Sequence, residues 1–318
     1  MSSKVVLKVT NISKDFGLTH ALKNVSVDIG QGEIIGLIGE NGSGKSTLSS
    51  IISGVYPASK GTMELDGEPY RPANPMDAQD HGISMIAQEM GTLPGIRVAD
   101  NIFLGKETLF VQKGVVNRKK MYAEAKKAMG KIGIEDINPE DPITKYSLEE
   151  RKLIEVVRAL YSDPRIFIVD ETTTALSQKG RDIIYQVIRK LKEENKTVLF
   201  ISHDLEELME VCSKLIVLRD GVFIAELQKE EFLEDRIKEL MVGRKLTGDY
   251  YRSDYDGSYD DEVVLKGEDI YVGDSVKGVS LELHKGEILG IGGLTDCGMH
   301  ELGKALFGNI RLMNGQVT

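Results

Sequence analysis

The chain has 318 residues, 41% of them hydrophobic and 28% charged, with 40 basic against 50 acidic side chains and a formal charge of −10. Such proportions describe a globular protein of one large or two ordinary domains, and the acidic balance argues against a nucleic-acid partner. No apolar run approaches the roughly 18 residues of a membrane span, and Met1-Ser2-Ser3-Lys4 opens no apolar signal-peptide core. Cys212 and Cys297 lack metal-ligand spacing and predict small packing residues in a reducing cytosol.

Taken in order, residues 5–9, 25–29 and 34–38 predict strands, the second alternating and the third continuously apolar. Residues 45–53 predict a helix, 61–67 a strand running into a turn, and 83–87 another short strand. Between 91 and 142 the pattern turns helical and charged, most clearly over 121–132. The apolar strand 166–169 leads into Asp170-Glu171. Helix 182–194, strand 197–201, helix 205–211 and strand 215–218 then alternate, the mark of a mostly parallel α/β sheet. Helix 231–241 closes the domain. Residues 245–262 hold Tyr250, Tyr251, Tyr255 and Tyr259 among five Asp and one Glu, and predict an acidic linker.

Between strand 34–38 and helix 45–53 lies Gly39-Glu40-Asn41-Gly42-Ser43-Gly44-Lys45-Ser46-Thr47, which fits G-x-x-x-x-G-K-[ST]. Glycines 39, 42 and 44 let successive backbone N–H groups point at phosphate oxygens where side chains would block them. The helix N-terminus adds unpaired donors and partial positive charge. Lys45 is placed to reach the β- and γ-phosphates and Ser46 to ligate Mg²⁺. The predicted cradle comprises Gly39, Asn41, Gly42, Ser43, Gly44, Lys45, Ser46 and Thr47. It is a nucleoside triphosphate site.

A repeat follows the linker. Lys277-Gly278-Val279-Ser280 answers Lys23-Asn24-Val25-Ser26, and Gly290, Gly293 and Gly298 answer Gly36, Gly39 and Gly44, without a gap. A constant offset of 254 (298 − 44) predicts a second copy of the first domain, which at Thr318 has reached the equivalent of Glu64. In that copy Met299 takes the Lys position and His300 the Ser position, and Asp296 replaces a glycine. A thioether cannot neutralise phosphate and a neutral imidazole is a poor Mg²⁺ ligand.

Four more motifs come in a fixed order: Gln88 after strand 83–87, Ser147 opening a helix, Asp170-Glu171 ending an apolar strand, and His203 ending strand 197–201. With the P-loop, this order resembles the ATP-binding cassette ATPases over nearly the whole chain. Gln88-Glu89 with Val98-Ala99-Asp100-Asn101-Ile102-Phe103-Leu104-Gly105, and Met241-Val242-Gly243-Arg244, resemble the sugar-importer subgroup, where fused double cassettes are the rule.

The resemblance implies an α/β P-loop NTPase cassette with a mostly parallel core sheet, an antiparallel β-subdomain and a helical subdomain at about 91–163. The first cassette is expected at 1–244, the linker at 245–262, and the start of a degenerate second cassette at 263–318. Asp170 is expected to hold the Mg²⁺ shell together with Ser46. Glu171 is expected to polarise the attacking water, and His203 to contact that water and the γ-phosphate. Gln88 is expected to sense both Mg²⁺ and the membrane partner, and Phe16 resembles the aromatic that stacks on adenine. The implied activity is ATP hydrolysis energising import of a monosaccharide or related small solute. The implied partners are a transmembrane permease, a second cassette and, indirectly, an extracytoplasmic solute-binding protein, with the chain at the cytoplasmic face of the membrane.

The departures matter. Where the family usually has Leu-Ser-Gly-Gly-Gln, this chain has Tyr146-Ser147-Leu148-Glu149-Glu150. Ser147 and Glu150 fit a capping box, and Glu149 and Glu150 are expected to occupy the positive end of that helix, repelling a phosphate. In a head-to-tail pair this signature serves the second P-loop, so both halves of one composite site are degraded. The expectation is one active site completed by a second cassette's signature and one dead site. The alternative is an ATP-binding regulatory module with little turnover.

Overall fold

The computed structural model describes residues 4–243, 258–293 and 297–318; Arg244, most of the acidic stretch, and Leu294, Thr295 and Asp296 lie outside them. Two units are present, Met1–Leu246 and Thr247–Thr318.

The first unit begins with β1 (Val5–Phe16), β2 (Thr19–Gly30), β3 (Ile34–Ile38), α1 (Lys45–Ile52), β4 (Lys60–Leu65), β5 (Glu68–Tyr70), α2 (Pro75–Asp80) and β6 (Ile83–Ile86). A largely helical stretch follows: α3 (Val98–Ile102), the short strands β7 (Val111–Gln112) and β8 (Val115–Val116), α4 (Arg118–Gly130) and α5 (Leu148–Leu160). The chain then returns through β9 (Ile166–Asp170), α6 (Gln178–Glu193), β10 (Thr197–Ile201), α7 (Leu205–Val211), β11 (Lys214–Arg219), β12 (Val222–Gln228) and α8 (Glu234–Val242).

The core sheet has the order β12-β11-β3-β10-β9-β6. All its pairs are parallel except β11 with β12. Every residue of β3, β9 and β10 is buried. Strands covered on both faces need no polar alternation, which is why they read as unbroken apolar runs. A second, antiparallel sheet runs β2-β1-β4-β5. In the helical region Phe103, Met121, Met129 and Ile154 are fully buried in one hydrophobic cluster. Because the parallel strands share a direction, the ends of β3, β6, β9 and β10 open on one edge, the usual place for a ligand in such sheets.

Several elements lay outside the sequence expectation, among them β12 and α2. β12 is an antiparallel edge strand reached through Asp220 (φ 52°) and Gly221 (φ 78°), a two-residue hairpin turn with both residues left-handed. The helix α2 starts at Pro75 behind Asn74, whose side chain accepts from the backbone N–H groups of Met76 and Asp77. The helical pattern expected between 91 and 142 is interrupted by β7 and β8.

The second unit comprises β13 (Val263–Val272), β14 (Val276–His284), α9 (Met299–Leu306) and β15 (Asn314–Val317). Its antiparallel sheet has the order β14-β13-β15 over a small core of Ile270, Val272, Val276, Leu302 and Ala305. Elements from β14 onward keep the 254-residue offset: α9 starts at Met299 as α1 starts at Lys45 (299 − 45). The first strand does not. Ile270 pairs with Val279 as Ile12 pairs with Val25, so β13 is displaced by 258 (270 − 12) and β14 by 254 (279 − 25). From β14 onward the repeat keeps its register without a gap, and the turn between its first two strands is four residues shorter than in the first copy.

Candidate nucleotide site

β3 ends at Ile38 and α1 begins at Lys45, which leaves residues 39–44 as a tight loop at the sheet edge. Gly44 caps α1 with φ 99°; a Cβ there would lie 2.8 Å from the Ala21 carbonyl oxygen. At Gly39 a Cβ would come within 2.1 Å of the Leu218 carbonyl oxygen. These two glycines are required by backbone packing alone. The Lys45 ammonium folds back over the loop, donating to the carbonyls of Gly39 (2.8 Å) and Glu40 (3.1 Å). Burial pushes its pKa down, and the nearby Glu171 and Asp170 oppose that shift. The Ser43 hydroxyl is buried without a hydrogen-bond partner. Asn41 and Gly42 are exposed and Thr47 is half-buried.

Asp170, buried at the end of β9, meets α1. Its Oδ1 accepts from Ser46 Oγ (3.3 Å) and its Oδ2 from Ser49 Oγ (3.1 Å). Burial pushes the Asp170 carboxyl up, with the Ser49 and Ser46 hydrogen bonds pulling the other way. Ser49 escaped the sequence reading; three residues after Ser46, it shares that residue's helix face. A hydrogen bond to a buried charged group contributes about 1.5–3 kcal/mol.

Glu171 sits one residue further on with φ 41°, a left-handed backbone for a non-glycine residue. Its N–H donates to the Ile201 carbonyl at 2.9 Å, and its Oε2 accepts from Gln88 Nε2 at 2.9 Å. Two residues 83 apart in sequence are thus brought together. A second buried carboxylate, Glu207 on α7, ties the segments around them. It accepts from Thr173 Oγ1 (2.9 Å), Ser202 Oγ (2.5 Å) and Tyr185 OH (2.6 Å). A glutamate in the first turn of an amphipathic helix reads as a surface residue, so Glu207 gave no signal. His203 is exposed beyond β10, and its ring has no hydrogen-bond partner among the described residues. Phe16, 42% exposed at the end of β1, lies edge-on to Tyr56 with centroids 5.2 Å apart and the Lys14 ammonium 5.0 Å from its centroid.

Residues 22–174 match the family model described as ABC transporter. A nucleotide-free ATP-binding cassette from an ABC transporter aligns with 74% of this chain and 98% of its own at TM-score 0.65 and 26% identity. Residues 22–174 form an ABC transporter domain. A second solved cassette, in its ADP conformation, aligns with 76% of this chain and all of its own at the same TM-score and identity. Among curated relatives, a ribose import ATP-binding protein of Burkholderia ambifaria is 36% identical over 96% of this chain and 60% of its own length. One from Escherichia coli O157:H7 is 35% identical over 100% and 62%. The cassette chain therefore spans about three fifths of the length of these relatives.

In the cassette's signature segment, Ser147 and Glu150 form the expected capping box. Ser147 N–H donates to Glu150 Oε2 (2.8 Å), and Glu150 N–H to Ser147 Oγ (3.3 Å). The Glu149 carboxylate reaches the start of α6, accepting from Ser177 Oγ (2.7 Å) and Ser177 N–H (3.3 Å). Both carboxylates stand in the first turn of α5, as expected; Glu150 closes the capping box there and Glu149 also serves the N-terminus of α6.

The second P-loop-like segment keeps the backbone of the first. Gly298 caps α9 with φ 91°, and a Cβ there would lie 2.9 Å from the Ser275 carbonyl oxygen. Ser275 and Val276 stand where Ala21 and Leu22 stand in the first copy. With four residues missing from the turn, only Gly273 and Asp274 answer the stretch 15–20, and Phe16 has no counterpart.

Proposed function

We propose that the first cassette binds MgATP at residues 39–47 and, completed by a second cassette surface, hydrolyses it to ADP and phosphate to energise solute import. One observation carries this reading: Lys45, Ser46, Gln88, Asp170 and Glu171 come from three distant segments and converge at one edge of the core sheet, Ser46 hydrogen-bonded to Asp170 and Gln88 to Glu171. The loop suits a triphosphate. The orphaned Ser43 hydroxyl and the Lys45 ammonium, which donates only to loop carbonyls, both have room in their bonding for phosphate oxygens. Ser46 and Asp170 offer the hard oxygen donors that Mg²⁺ prefers. No cluster of three His, Cys, Asp or Glu occurs among the described residues, as suits an ion held by one carboxylate, a hydroxyl, waters and phosphate. Bound there, Mg²⁺ would neutralise phosphate charge.

The side chains divide the remaining work. Lys45 pairs with the β- and γ-phosphate oxygens. Gln88 donates to one oxygen of Glu171, leaving the other to orient the attacking water and take its proton. His203 reaches from the end of β10 to the γ-phosphate, and Phe16 offers a face to adenine. From the names of the relatives we assign the cargo to monosaccharides or related small solutes. It is moved by a permease subunit and delivered by an extracytoplasmic binding protein, with this chain on the cytoplasmic face of the membrane. No helix among the described residues is long and apolar enough to cross a membrane.

In the complete double-cassette protein, Glu171→Gln should retain ATP and slow phosphate release about 100-fold or more. A wild-type rate no faster than the variant's overturns the hydrolytic reading. That result would favour a regulatory module instead, the reading supported by the signature carboxylates, which satisfy the starts of α5 and α6 from within the chain.

A further inference from the structure

We propose that Lys152, with Glu155 and Arg158, is a positioning device that holds the loop after β6 and so sets where Gln88 meets Glu171. The inference rests on the reading of Gln88 and Glu171 as the water-handling pair. Its physical content is how the loop after β6 is held.

Residues 87–91 are all exposed, and residues 88–91 make no backbone–backbone hydrogen bond among the described residues. What fixes them comes from one face of α5. The Lys152 ammonium donates to the carbonyls of Ala87 (2.8 Å), Gln88 (3.3 Å) and Glu89 (3.0 Å). Glu155 Oε1 accepts from the Gly91 N–H, and Arg158 donates to the Gly91 carbonyl at 3.0 Å. Spaced three residues apart, these side chains grip both ends of the loop. Gly91 is held closely: a Cβ there would lie 2.9 Å from the Arg158 guanidinium.

The cost of this arrangement argues for its purpose. Lys152 is 2% and Glu155 3% exposed, paired at 3.0 Å. Burying two ions costs several kcal/mol each before pairing, and well-packed apolar residues in their place are often neutral or stabilising. A helix needing only a core would do as well with methionine and leucine. An ammonium sharing its three protons among three loop carbonyls and Glu155 instead fixes the backbone that carries Gln88.

The chain contains no tryptophan, so Met90→Trp, at a loop position 39% exposed, installs a single reporter. In that background the parent is compared with Lys152→Gln, whose amide can still donate to two carbonyls, and with Lys152→Met/Glu155→Leu, which removes the buried ion pair as a whole and leaves Arg158 on the Gly91 carbonyl. Acrylamide quenching of the reporter should rise at least about twofold in the double variant, with Lys152→Gln in between. In the complete double-cassette protein without the reporter, kcat should fall about tenfold, and KM for ATP should stay within about threefold. A merely structural pair would lower Tm and leave quenching unchanged. Unchanged quenching or unchanged kcat in a folded double variant overturns the proposal, and Lys152→Gln decides the matter if the double variant does not fold. Failure of the parent to bind MgATP would strike the nucleotide reading, while the quenching comparison would still decide the clamp.

Discussion

The two P-loop-like segments share a backbone and differ in what a phosphate would touch. Gly44 and Gly298 each cap an eight-residue helix from the left-handed region, with φ 99° and 91°. Each leaves no room for a Cβ against the same point of the preceding strand pair. Beyond that frame the copies part: Lys45-Ser46 becomes Met299-His300, and the turn that carries Phe16 is four residues shorter in the second copy. The frame is thus a packing solution that both copies keep whatever side chains follow the glycine. Glycines report the fold; the ammonium, the hydroxyl and the aromatic turn report binding.

Giving the first copy the second copy's residue should have the largest effect. Lys45→Met should weaken MgATP binding about 100-fold, near 3 kcal/mol, by isothermal titration, because the charge-assisted hydrogen bonds to phosphate go with the ammonium. Binding that survives undiminished would mean the loop backbone alone holds the ligand. Phe16→Ala, which imitates the shortened turn, should cost about tenfold in affinity, in line with the 1–3 kcal/mol of base–aromatic stacking. An equal loss for ATP and inorganic triphosphate would deny the ring its place on adenine. The reverse graft should do least. Met299→Lys/His300→Ser restores the charge and the hydroxyl but not the turn, so nucleotide stoichiometry should stay at one per chain; a second equivalent would make side chains alone sufficient.

How much of this could be read from the sequence depended on where each signal lies. Residues 34–38 and 197–201 were legible to the residue, because fully buried parallel strands leave unbroken apolar runs between polar boundaries. The edge strand β12 was not, although Asp220-Gly221 advertises it; the same Asp-Gly turn at Asp66-Gly67 joins β4 to β5. The motif residues were visible as types in an order, but not in their pairings. Nothing local says that Gln88 will donate to Glu171 or that the Glu149 carboxylate will reach Ser177. Lys152 shows the limit best: in Leu148–Leu160 it looks like one charge among several on an amphipathic helix, and its partner carbonyl at Ala87 lies 65 residues earlier.

The shortened turn between β13 and β14 makes the asymmetry of the two copies hard to undo. Single-residue exchange can return a cation or an oxygen ligand to Met299 and His300, yet no exchange lengthens a chain. Recovery would require an insertion of the right size, and an odd-numbered one that shifted pairings such as Ile270 with Val279 would turn inward side chains to the outside. A turn shorter by four residues therefore keeps the two copies distinct through any single-residue exchange.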